Sequence, residues 1–142
     1  MPEVIGIDHI FITASDLKRS VEFYDFVMEI LCFRKNTFAL NNEVHIQYYN
    51  RHFGYVLRPA HNESKHNSNS PGLHHLCMRV ESKEEVHEIA KALIKNNIKV
   101  SKPKLYSEYA NDYYAIFFKD PDGIELEITN YRQERRDRHD NW

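Results

Sequence analysis

The chain has 142 residues, a formal net charge of −2 with histidines neutral, and an apolar share of 42%. That is enough apolar surface for a folded core, and it excludes a disordered tail. The charge balance offers no broad basic field for nucleic acid, and no apolar run approaches the roughly 18 residues of a membrane span.

Residues 4–13 (V-I-G-I-D-H-I-F-I-T) read as a strand. His9, Phe11 and Thr13 point one way, Ile10 and Ile12 the other, and apolar residues on both sides predict that both faces are covered. Ser15 or Asp16 can cap a helix whose stripe is Leu17, Val21, Tyr24, Met28 and Leu31. Strands are expected at 33–40, 44–49 and 54–58, with Asn41-Asn42 as a turn. Residues 60–72 are almost wholly polar and read as a linker, in which His61 and His66 are expected to be solvated.

The pattern then restarts. Residues 73–80 read as a strand, and Ser82-x-x-Glu85 is a capping box ahead of a helix carrying Val86, Ile89, Ala90, Leu93 and Ile94. Further strands are expected at 98–101, 113–118 and 124–128. Asp120-Pro121-Asp122-Gly123 is a tight turn leading into the last of these, since Pro121 fixes φ and Gly123 permits a positive one. On that strand Ile124, Leu126 and Ile128 share one face, and Glu125, Glu127 and Thr129 the other. Residues 131–142 read as a solvated, charged tail.

An offset of 66 residues relates His9 to His75 and Asp16 to Ser82, which identifies an internal repeat. Its two histidine strands are expected in sheet interiors, each followed by a helix on the same sheet face. The fold class is therefore α+β, built from two tandem βαβββ modules: module one about 4–59, linker 60–72, module two about 73–130. Together they are expected to act as one domain, with a curved mixed sheet around a cavity. Strand parity places His74 with the core and His75 with Cys77 and Arg79 on the opposite face. Two histidines on equivalent strands and a glutamate from a third make a two-His, one-carboxylate set, suited to a divalent transition metal. Glu125 and Glu127 share a face, so parity leaves the choice between them open. Glu43 or His45 could act as a base at the start of the third strand, and Phe11, Arg79, Tyr113, Tyr114 and Phe117 could line a substrate cavity. Cys32 and Cys77, each in an apolar run, are expected to be buried, reduced thiols of a cytoplasmic protein. Met1-Pro2-Glu3 lacks the basic start of a signal peptide.

These segments resemble the vicinal oxygen chelate superfamily of glyoxalases, bleomycin resistance proteins and dioxygenases. The carriers are D-H-I-F-I-T-A-S-D-L-K-R-S-V-E-F-Y near the start, H-x5-V after the linker, and F-F-K-D-P-D-G-x3-E at the end. The resemblance implies metal ligation by His9, His75 and Glu127, the Glu four residues past the turn glycine. It implies one divalent ion (Zn, Ni, Mn or Fe), a small substrate with vicinal oxygens, and a homodimer without nucleic-acid or membrane partners. It also implies lyase or isomerase chemistry, or a related transfer, with Glu43 as the base. The alternatives are a metal-free drug-binding protein and an Fe(II) extradiol-type dioxygenase. Two departures bear on the choice: residues 54–59 (G-Y-V-L-R-P) lack the extra glutamate of glyoxalase I, and Phe117 stands where dioxygenases usually carry Tyr.

Overall fold

The computed structural model describes residues 1–142, which form two compact units, Met1–Lys65 and His66–Trp142. The first contains β1 (His9–Ala14), α1 (Leu17–Ile30), β2 (Arg34–Leu40), β3 (Glu43–Tyr49) and β4 (Gly54–Pro59). The second contains β5 (His75–Val80), α2 (Lys83–Lys95), β6 (Lys104–Leu105), β7 (Tyr114–Lys119), β8 (Glu125–Asn130) and α3 (Gln133–Asp140). Both are βαβββ modules. Their sheets have the same order, β1-β4-β3-β2 and β5-β8-β7-β6, with the first strand parallel to the last and the others antiparallel.

The repeat extends to the helix ends. The Asp16 carboxylate accepts from the Arg19 backbone N–H, and the Ser82 hydroxyl from that of Glu85, whose own side chain completes the capping box. Both helices close with a Schellman motif. Phe33 N–H reaches the Met28 carbonyl past Cys32 at φ 60°, and Ile98 N–H reaches the Leu93 carbonyl past Asn97 at φ 59°. Left-handed geometry at the residue after the cap lets the last turn satisfy its orphan carbonyls. Asn41 and Asn42, at φ 52° and 63°, form the two-residue hairpin turn between paired Leu40 and Glu43.

In the first unit, α1 lies on the face of Ile12, Ala14, Ile46, Tyr48, Tyr55 and Leu57, all buried. The Tyr24 and Tyr55 hydroxyls are 2.8 Å apart, and the Tyr48 hydroxyl donates to Asp25 at 2.7 Å. Burial, reinforced by that carboxylate, raises the Tyr48 pKa, so it stays a donor. In the second unit, Val86, Ile89, Ala90 and Leu93 of α2 are buried, as are Met78, Ile116, Phe118, Leu126 and Ile128 on alternate strand positions. The opposite face of each sheet carries the histidine that opens its first strand.

The strands make two four-stranded mixed sheets, one per unit, as two βαβββ modules require. Other expectations do change. The histidine strands β1 and β5 are edge strands, but they occupy the same edge in both sheets, so the repeat stands on equivalent positions. On β1 only the helix side is covered: Ile12 and Ala14 are buried, whereas Phe11 is 42% exposed. The strand expected at 98–101 reduces to an isolated bridge from Val100 to Phe118, with Ser101 bonded to Phe117, and β6 begins only beyond Pro103. Proline has no N–H to continue a ladder. Both cysteines are free and exposed, Cys32 because the Schellman turn holds it outside the core.

Replacement of either cap should therefore cost the same order of stability. Asp16→Ala and Ser82→Ala are each expected to lose about 0.5–2 kcal/mol in urea unfolding. A loss for one and none for the other would contradict equivalent capping.

Candidate metal and substrate site

Glu127 owes its position to the turn before it. The Asp120 carboxylate accepts from the backbone N–H groups of Asp122 and Ile124, both at 2.9 Å, and Gly123 adopts φ 85°. That pins the entry to β8, and the period of two then sends Leu126 and Ile128 to the helix and Glu127 to the other face. The register sets Glu127 beside Cys77 on β5 and Phe117 on β7.

Glu127 is 2% exposed, an unusual setting for a carboxylate. Its Oε1 accepts from the Tyr113 hydroxyl at 2.5 Å, and its Oε2 lies 3.3 Å from His75 Nε2. The Nδ1 atoms of His75 and His74 are 2.8 Å apart, so one donates to the other. When His75 is the donor, Nε2 presents a lone pair toward Oε2. Two acceptors so placed call for a proton or a cation between them. His74, His75, Tyr109, Tyr113, Phe117, Glu125 and Glu127 line a cavity of about 520 Å³. Tyr109 stacks on Tyr106 at 5.6 Å, and Tyr106 meets Phe117 edge-on, giving the cavity an aromatic lining.

Cys77 borders this group, with its Sγ 3.8 Å from the Tyr113 hydroxyl. Although the residue keeps contact with solvent, desolvation of the thiol, followed by the charge of Glu127, pushes its pKa up to about 12. It is therefore a thiol at neutral pH. The same causes, burial first and then the Glu127 hydrogen bond, raise the Tyr113 pKa.

In the first unit His9 opens β1, its Nδ1 2.6 Å from Asp8 Oδ2 and its ring edge-on to Phe11 at 5.3 Å. It lines a cavity of about 620 Å³ in that unit with Asn36, Gln47 and Tyr49. The register that sets Glu127 beside Cys77 sets Val56 beside Phe11 in this unit. The counterpart of Glu127 is thus apolar, and β4 carries no carboxylate. Glu43 is held by Arg58 at 3.2 Å and by His61, which is thereby partnered and not merely solvated. His45 is buried against Phe38, its Nδ1 3.0 Å from the Glu43 carbonyl oxygen.

The structure thus gathers His75, Glu127, Tyr113 and Phe117 around one cavity. Arg79 does not line it; its guanidinium sits over the Tyr131 ring at 4.7 Å. Phe11 and Glu43 are outside the cavity at His9. Neither unit by itself assembles three His, Cys, Asp or Glu side chains about a common point. His74 is exposed and lines the cavity with His75, against the parity argument, because β5 begins only at His75 and alternation does not reach His74. Sequence reasoning missed Tyr109 and the Arg132 guanidinium, 4.7 Å over the Tyr113 ring. The Tyr106-x2-Tyr109-x3-Tyr113 spacing was the available signal.

The comparisons with known proteins agree with this architecture. The Glyoxalase/Bleomycin resistance protein/Dioxygenase superfamily pattern matches residues 6–128, and the chain belongs to that superfamily. No curated protein matches the sequence. Among solved structures, a glyoxylase/bleomycin resistance protein/dioxygenase domain from Frankia sp. EAN1pec is 20% identical. It has a TM-score of 0.77, with 92% of this chain and 100% of that chain covered. A lactoylglutathione lyase from Agrobacterium tumefaciens is 19% identical, with a TM-score of 0.67 over 91% of this chain and 96% of that one. A fosfomycin resistance protein from Listeria monocytogenes is 15% identical, with a TM-score of 0.68 over 94% and 99%. At these identities the likeness is one of fold. No helix is long and apolar enough to cross a membrane.

The raised thiol pKa gives a direct test of the surroundings of Cys77. At pH 7.5 iodoacetamide should alkylate Cys77 more slowly than Cys32, as followed by peptide mass spectrometry. Equal rates would contradict the desolvated, anionic surroundings assigned to Cys77.

Proposed function

We propose that this protein is a metal-dependent, glyoxalase-like enzyme that acts on a small substrate with vicinal oxygens. The observation that carries the reading is the buried Glu127 carboxylate facing His75 Nε2 on a cavity wall. A buried anion needs a compensating charge, and this donor pair fits a divalent transition metal. His75 and Glu127 would hold the ion, with His9, the repeat counterpart of His75, as third ligand. The two units would then work as one domain. Such an ion supplies Lewis-acid polarisation of a bound carbonyl, hydroxyl or epoxide oxygen.

The chain's own residues do the rest. Tyr109 and Phe117 would flank the substrate and exclude water. Glu43 is the candidate base. Its side chain is partly buried and is held in place by Arg58 at 3.2 Å and by His61. The chemistry would be isomerisation, carbon–sulfur bond formation or elimination, or epoxide opening. Val56 at the position equivalent to Glu127 argues against a proton transfer by a second metal-bound glutamate. Open backbone edges at β1 and β5, with Phe11 and Val44 exposed, support a homodimer. The free cysteines are in keeping with a cytoplasmic setting.

Elemental analysis after reconstitution should find one divalent ion per chain. His9→Ala, His75→Ala and Glu127→Gln should each abolish stoichiometric binding, whereas Glu125→Gln should spare it. A folded wild type that takes up none of Zn, Ni, Mn or Fe would overturn the enzyme reading in favour of a metal-free binding protein.

A further inference from the structure

Resting on the metal-centre reading above, we propose that Tyr113 is a positioning residue for Glu127. Its hydroxyl holds Oε1 and so presents Oε2 alone, toward His75, as the ligand oxygen. The two carboxylate oxygens have different surroundings. Oε1 accepts the Tyr113 O–H at 2.5 Å, and Oε2 faces His75 Nε2 at 3.3 Å on the cavity side. With one lone pair of Oε1 engaged by Tyr113, Oε2 is the freer donor on the cavity side.

Tyr113 is itself firmly placed. The Arg132 guanidinium lies 4.7 Å from its ring centroid on a face, and the Tyr109 ring meets it edge-on at 5.2 Å and 76°. Its backbone N–H donates to the Ala110 carbonyl at 3.2 Å, and its carbonyl accepts from Tyr106 N–H at 2.7 Å. These contacts come from the loop before β7 and the segment after β8, neither of which supplies a proposed ligand. The hydroxyl is thus an outer partner of the site, of the kind that fixes the orientation of a metal-binding carboxylate. His74 stands to His75 Nδ1 as Tyr113 stands to Glu127 Oε1, so each proposed ligand of this unit has one outer contact and one atom free for the cavity.

The test compares wild type and Tyr113→Phe as full chains, loaded with Co²⁺ in competition with a chromophoric chelator. The variant should still bind one ion per chain, with affinity lowered about 10- to 100-fold and a shifted Co²⁺ visible absorption band. A purely structural role for the hydroxyl would lower the thermal midpoint of the metal-free protein and leave the affinity and the band unchanged. That result, with normal binding by wild type, would overturn this inference alone. No Co²⁺ binding by wild type would overturn the metal-centre reading and this inference with it. Should Tyr113→Phe not fold, infrared spectra of wild type labelled with ¹³C-glutamate decide the matter. A one-oxygen carboxylate signature on Co²⁺ binding supports the inference, and a two-oxygen signature contradicts it.

Discussion

The burial of one carboxylate sets the terms for the second unit. Glu127 sits on a strand whose neighbours on the same face are Cys77 and Phe117, in a place where an anion without partners would be strongly unfavourable. The fold keeps it there by rigid means. Asp120 clamps the turn, Leu126 and Ile128 are buried on the helix side, and Tyr113 ties one oxygen. His75 meets the other oxygen from the adjacent parallel strand. Removing the apolar anchors would cost several kcal/mol, roughly 2–5 for each large-to-small change. The site and the core are therefore one construction: the residues that pack α2 also aim the carboxylate.

The two units show how a duplicated module is made to differ. Helix caps, Schellman closures, strand order and edge position recur. What changes is the cavity face, where Val56 replaces a glutamate and the ion-paired Glu43–Arg58–His61 cluster has no counterpart among the cavity residues of the second unit. Backbone-determining residues repeat because the fold needs them twice. The single metal ion proposed above would need the carboxylate only once.

Much of this was legible in the sequence, because short-range physics decides it. Strand alternation, the Ser82 capping box, the Asn41-Asn42 hairpin and the Asp120–Gly123 turn are each set by residues within a few positions of one another. The 66-residue offset carried the equivalence of β1 and β5. Features that depend on long-range or terminal geometry were not legible. The edge position of β1 follows from pairing with β4, some forty-five residues away in the register His9↔Gly54. The exposure of Cys32 follows from a left-handed cap that no glycine announced, and the apolar run around it suggested burial. His74 was assigned by alternation one residue beyond where the strand begins. The bond between Tyr113 and Glu127 crosses from a loop to a strand, and no periodicity encodes it.

The proposal most open to test is that His9 on β1, His75 on β5 and Glu127 on β8 bind one ion together. X-ray absorption at the metal edge of the Zn²⁺-loaded protein tests it most directly. The account predicts the outer-shell scattering of two imidazoles, with nitrogen and oxygen donors at about 2.0–2.2 Å. Scattering from a single imidazole, or from none, would contradict it.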